Sequence, residues 1–237
     1  MAYIVGFVVA VPAENKEAYK KHAAHFLPML KEFGVARMVE TWADDVPDGK
    51  VTDFRGAVKA KPGEAIVFSW FEYPSKQVRD EAGEKMMADP RMENMGANAP
   101  FDAQRMIYGG FAPLVDEGAG GKMGYVDATL IAVPTDAKDA FGKFANDMAA
   151  LFNEYGATRV VDAWGDDVPD GKITDFKGAV KAEANEKVVY CWVEWPSKDV
   201  RDKAWKRMES EPRMQAMKMP FDGKRMVFGG FAPILDA

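Results

Sequence analysis

The chain has 237 residues, 48% of them hydrophobic and 29% charged, with a net charge of −6 and a sequence pI near 5.1. This is enough apolar material for one large domain or two ordinary ones, which excludes disorder, and the charge has the wrong sign for a protein that grips nucleic acid. The single cysteine, Cys191, can form no internal disulfide and supplies no thiolate cluster for a metal, so the reducing cytoplasm is the expected compartment.

In chain order, YIVGFVVAVP from Tyr3 to Pro12 is apolar but too short to span a bilayer, and no Lys or Arg precedes it as in a secretory signal. The same element returns as YVDATLIAVP from Tyr125 to Pro134, so it reads as a strand, and no membrane partner is expected. Tyr19, Ala23, Phe26, Leu30 and Phe33 then follow helical spacing up to Gly34, a good residue for a helix end, with a kink expected at Pro28. VARMVETW from Val35 reads as a strand, DVPDGK as a turn, and Val51 to Ala60 as a strand pairing back. AIVFSWFEY from Ala65 is an aromatic, β-branched strand, and Ser75 can cap a helix running to about Ala88, which Asp89-Pro90 ends. RMIYGGFAPLV from Arg105 is the last strand, and a Gly-rich linker follows at 117–124.

Everything before that linker then recurs. DDVPDGKVTDFRGAVKA from Asp44 to Ala60 returns as DDVPDGKITDFKGAVKA from Asp166 to Ala182, YPSKQVRDEA from Tyr73 as WPSKDVRDKA from Trp195, and PFDAQRMIYGGFAP from Pro100 as PFDGKRMVFGGFAP from Pro220. The chain is a tandem duplication, with repeats at 1–116 and 125–237. The element order of each repeat predicts an α+β fold, a ferredoxin-like antiparallel sheet with helices on one face. Ile66, Phe68 and Trp70 share one strand face, as do Val188, Tyr190 and Trp192, so the two sheets are expected to pack on each other as an intrachain pseudo-dimer.

W-x-D-D-V-P-D-G-K-x-T-D-F at Trp42 and Trp164, E-x-P-S-K-x-V-R-D at Glu72 and Glu194, and P-F-D-x-x-R-M-x-x-G-G-F at Pro100 and Pro220 resemble the YbaA-like bacterial family, a domain of unknown function. The resemblance implies a dimeric α+β barrel, the superfamily that also houses small monooxygenases and muconolactone-isomerase-like enzymes, and it implies no activity. Relatives of this kind carry one copy and dimerise, whereas here both copies share a chain.

Glu72 and Glu194 end aromatic strands on the same face as Trp70 and Trp192; a carboxylate beside indoles at a cavity edge is a candidate general acid or base, and its structural alternative is an ion pair. Arg37, Arg159, Arg105 and Arg225 are candidates to orient an anionic substrate, and salt bridges explain them equally well. His22 lies on the apolar face of the first helix and reads first as a core or cavity-wall histidine; the second copy has Phe144 there. The aspartates of DDVPDGK lack the alternate spacing of a calcium loop and read as a solvated turn, with Asp53, Arg55 and Lys59 on one strand face as an exposed or pocket-wall row. Cys191, matching Ser69, reads as an inert buried thiol, and Met86, Met87, Met92, Met95 and Met106 with Met208, Met214, Met217, Met219 and Met226 read as core filler. No metal site and no cofactor are predicted. The expected function is small-molecule binding or cofactor-free catalysis with a pocket in each half, the alternative being a non-catalytic binding, assembly or stress-related module; further self-association of the fused chain is left open.

Overall fold

The computed structural model describes residues 2–92 and 99–237. Eight strands run β1 (Tyr3–Pro12), β2 (Arg37–Asp45), β3 (Glu64–Tyr73), β4 (Ile107–Glu117), β5 (Tyr125–Pro134), β6 (Arg159–Asp167), β7 (Glu186–Trp195) and β8 (Val227–Asp236). All pair antiparallel and close a barrel in the order β1-β3-β2-β8-β5-β7-β6-β4. Within each repeat the order is therefore β4-β1-β3-β2 or its counterpart. The expectation of two stacked sheets changes in one respect: the sheets also join edge to edge, β2 with β8 and β4 with β6, so neither half keeps a free edge.

The aromatic face of β3 and β7 fills the barrel. Phe68 stacks on Tyr190 with ring centroids 4.3 Å apart, Trp70 lies 4.5 Å from Trp192, and Phe54, Phe111, Phe176 and Phe231 complete a solid interior drawn from both halves. Phe68 and Tyr190 are counterparts, and the backbone adapts to the difference. Tyr190 donates to the Ser69 carbonyl at 2.8 Å over Gly6, where an added Cβ would lie 2.7 Å from the ring; the position matching Gly6 is Ala128.

The opposite strand face is covered by helices α1 (Lys16–Glu32) and α3 (Lys76–Ala88) in the first half, and α4 (Lys138–Glu154) and α6 (Lys198–Met208) in the second, with a short α7 (Pro212–Ala216) beside them. α1 buries Tyr19, Ala23, Phe26 and Leu30, runs as one helix through Pro28, and ends at Gly34 with φ +102°. The Ser75 hydroxyl accepts from the Val78 N–H at 3.2 Å, the predicted cap of α3.

The strand expected over 51–60 is instead the helical turn α2 (Phe54–Ala57), repeated as α5 (Phe176–Ala179). Asp53 decides this. Its carboxylate accepts from Gly56 N at 2.6 Å and Gly49 N at 2.9 Å, capping the turn and closing the preceding loop. Phe54, Ala57 and Val58 fall on one helical face and plug one mouth of the barrel, so Asp53, Arg55 and Lys59 do not form a strand face. The linker is also not loose: Gly120 N donates to the Thr158 carbonyl and Gly124 N to that of Trp195, which seats it across strand ends at the other mouth.

Candidate functional site

Two sets of side chains concentrate charge at buried positions. The first closes the barrel mouth opposite α2 and α5. Arg37 opens β2 in register with Glu72 at the end of β3, and Arg159 stands likewise against Glu194. Each arginine reaches furthest into the other half. Arg37 donates to both oxygens of Glu194, at 2.7 and 3.2 Å, and Arg159 to both of Glu72, at 2.8 and 3.0 Å. Arg37 also touches Glu72 at 3.2 Å, and the indole N–H groups of Trp70 and Trp192 donate to Glu72 and Glu194, each at 3.1 Å. The outer edges of the guanidiniums fork onto Asp236 and Asp116. Above lies an open depression of about 340 Å³ lined by Arg37, Arg159, Glu194, Asp236 and the linker glycines. The structure thus brings together Glu72, Glu194, Trp70, Trp192, Arg37 and Arg159.

It does not bring Arg105, Arg225 or His22 there. Arg105 and Arg225 sit near the opposite end of β3 and β7, bidentate on Glu64 and Glu186 with every contact at 2.7 Å, and the Arg105 guanidinium holds Glu64 down at about 2. His22 lies half-buried on α1, edge-on to Phe26 and Phe101, and burial lowers its pKa, helped by His25. In the second half, Phe144 lines a surface cleft of about 630 Å³ between α4 and α7, with Lys143, Leu151, Met217 and Lys218. Cys191 is buried, and burial with neighbouring Asp162 pushes its thiol well up, which disfavours the thiolate. Of the methionines, Met208 is buried, Met87 is exposed, and Met95 lies outside the described residues. Among the described residues no group of three His, Cys, Asp or Glu could hold a metal ion, and no helix is long and apolar enough to cross a membrane.

The second set escapes the motif reading. Glu40 on β2 is buried beneath α1, where it accepts from the Tyr19 hydroxyl at 2.7 Å and stands in register with Ser69. No cation pairs with it among the described residues. Burial pushes its carboxyl up to about 7 against the pull of the Tyr19 and Ser69 hydroxyls. The counterpart, Asp162, is raised by burial to about 6 and stands in register with Cys191. The signal was present in VETW and VDAW: an acid in both copies on the strand face shared with Trp42 or Trp164.

With this geometry in hand, comparison with known proteins places the chain. The model of the family described as "Protein of unknown function (DUF1428)" matches twice in tandem, over residues 2–103 and 124–223. The chain belongs to the DUF1428 family. Among DUF1428 relatives, the uncharacterized protein YbaA of Escherichia coli K12 is 63% identical over 117 residues, which is 49% of this chain and all of YbaA; the protein of the same name in Shigella flexneri matches equally. Solved structures share the fold at low identity. A candidate monooxygenase from Fusobacterium nucleatum superposes with TM-score 0.62 at 10% identity, covering 99% of this chain and 93% of that one. A second, from Lactobacillus acidophilus, gives 0.59 at 10% over 100% and 95%. An anthrone oxidase-like protein gives 0.53 at 11% over 100% and 92%. This DUF1428 chain is thus an α+β protein whose two repeats form one barrel of the dimeric α+β type.

Proposed function

We propose that this DUF1428 protein binds a small molecule between the sheet and the outer helices of each half, reading each half as a ferredoxin-like repeat, and that Glu40 is the acid–base group of the first half. The reading rests on one observation: a buried carboxylate that has no cationic partner among the described residues and is met instead by the hydroxyls of Tyr19, 2.7 Å away, and Ser69. Such a group changes protonation near neutral pH and can pass its proton to, or take one from, a substrate that displaces Tyr19. The kinship of fold with candidate monooxygenases and an anthrone oxidase-like protein agrees with chemistry on small organic substrates. The halves differ at this level. The first offers Tyr19, His22, Glu40 and Ser69; the second offers Phe141, Phe144, Asp162 and Cys191, a more apolar lining.

Glu72 and Glu194, the carboxylates first marked for acid–base work, already accept bidentate guanidinium and indole N–H bonds, and we assign them to joining the halves. No cofactor is proposed, and the reducing cytoplasm remains the proposed compartment. The aromatic interior favours a second reading, a non-catalytic binding or assembly module, because side chains from both halves pack together inside the barrel. A metabolite thermal-shift screen on the intact chain, followed by turnover assays, separates the two. Turnover is expected to vanish in Glu40→Gln and to persist in Glu72→Gln; turnover surviving Glu40→Gln sinks the assignment, and binding without turnover supports the second reading.

A further inference from the structure

The barrel mouth plugged by α2 and α5 carries a feature the function above does not use. Both copies place a lysine in the left-handed backbone region, Lys59 and Lys181, each at φ +51°. Each follows its helical turn: Lys59 N donates to the Gly56 carbonyl and Ala60 N to that of Arg55, with the same pair of bonds around Lys181. Glycine fills that position at no steric cost, whereas a side chain crowds its own backbone. Both copies thus carry at this lysine a backbone cost that glycine would not.

The two lysines line one pocket of about 320 Å³, built symmetrically from both repeats with Gly49, Val51, Thr52 and Asp53 and their counterparts Gly171, Ile173, Thr174 and Asp175. Most polar groups of this lining are already engaged. Asp53 and Asp175 accept backbone N–H groups of their own loops, and the Thr52 and Thr174 hydroxyls donate across the halves to the carbonyls of Ala179 and Ala57. The ion pairs of these loops join Arg55 to Asp48 and Lys177 to Asp170, and among the described residues no carboxylate pairs with the ammonium group of Lys59 or Lys181. At the rim, Val51 and Ile173 are about half exposed, at 49% and 48%.

We propose that this pocket binds a small aliphatic dianion, its two anionic ends on Lys59 and Lys181 and its apolar spacer against Val51 and Ile173. Two cations related by the repeat suit a ligand with an anion at each end, and two half-exposed β-branched side chains in the same lining suit a hydrocarbon spacer rather than a single compact anion. This site is independent of the one proposed around Glu40, at the opposite strand face.

The test uses the full chain with succinate and glutarate as probes, and acetate and sulfate as controls, read by thermal shift and calorimetry. A saturable rise in Tm with the dicarboxylates, at least tenfold tighter than with acetate or sulfate, is expected. In the Lys59→Gly/Lys181→Gly variant, Tm without probe should stay unchanged or rise, because the strain is relieved, while dicarboxylate affinity falls at least tenfold. Lys59→Gln/Lys181→Gln, which keeps the backbone strain, should lose binding to the same degree. Equal response to sulfate, binding that survives either double variant, or a fall in Tm on changing to glycine would each overturn the proposal, the last because it would make the lysines structural.

Discussion

Replacing Arg37 by Met keeps most of the aliphatic stem and removes the charge, which isolates what the crossed ion pairs contribute. Arg37 holds Glu194 at 2.7 and 3.2 Å and Asp236 at 2.8 and 3.0 Å. The two carboxylates differ in what they lose. Glu194 is 1% exposed and keeps only the Trp192 N–H at 3.1 Å and Arg159 at 3.7 Å, whereas Asp236 is 35% exposed and regains water. Stranding one partner of a buried pair costs about 3–5 kcal/mol and an exposed pair about 0–1. With Arg159 still near Glu194, the lower end applies, about 3 kcal/mol. For a chain of this length that lowers Tm by roughly 6–12 °C. Urea unfolding followed by tryptophan fluorescence and far-UV circular dichroism measures it. If the loss is the stranded charge, adding Glu194→Gln to Arg37→Met recovers at least half of it. A cost below about 1 kcal/mol, or a double variant weaker than the single one, would refute the reasoning and free the cluster for another role.

Two further outcomes follow from buried groups. Glu40 keeps its proton up to about pH 7 in the folded chain, against an ordinary value of 4.5, so its contribution is fully present below pH 4.5 and is lost as pH rises to about 7. That loss amounts to about 3 kcal/mol. Urea titrations across this window should show the wild type falling relative to Glu40→Gln; parallel curves would mean that Glu40 titrates normally. Gly6→Ala drives a Cβ to within 2.7 Å of a fully buried Tyr190 ring that its hydroxyl anchors to Ser69, and should cost about 1–3 kcal/mol by calorimetry; an unchanged Tm would show that the ring can move.

Much of this architecture was legible because it rests on local chemistry. Tyr19, Ala23, Phe26 and Leu30 mark α1 by spacing alone, Ser75 marks the cap of α3, and the alternation in AIVFSWFEY separates the barrel face from the helix face. What escaped depends on partners distant in sequence. Val51 to Ala60 has the pattern of a strand, and only the bonds of Asp53 to Gly49 and Gly56 and the entry of Phe54 into the barrel make it a helical turn. The reach of Arg37 past Glu72 to Glu194 follows from closure of β2 on β8, which one repeat cannot announce. Glu40 is hard to single out because an acid inside an apolar strand reads as part of the strand, although Asp162 stands at the same place.

The barrel closure also explains what the long repeated motifs are for. Asp44 of the first W-x-D-D accepts from Tyr125 and pairs with Lys198, and Asp45 pairs with Arg201, both from the second P-S-K-x-V-R. Asp166 and Asp167 meet Tyr3, Lys76 and Arg79 in the same way. These two motifs thus supply halves of a joint whose other half lies in the other copy, and a change in one copy strands a charge in the other, whereas the arginine of P-F-D-x-x-R-M pairs within its own copy. Such positions are held by the joint whatever the protein binds. Positions free of it can diverge, and there the copies do differ. Where the first half has Val5, Tyr73 and Gly83, the second has Asp127, Trp195 and Trp205; both indoles donate to Asp127, at 2.9 and 2.8 Å, and Asp127 borders the joint through Arg201 at 2.8 Å. The exchanges at His22 and Phe144, and at Ser69 and Cys191, fall outside the crossed joints, on the helix-facing side of the sheet. A difference in what the two halves bind is therefore to be sought under the helices, around Glu40 and Asp162, rather than in the motifs by which the family is known.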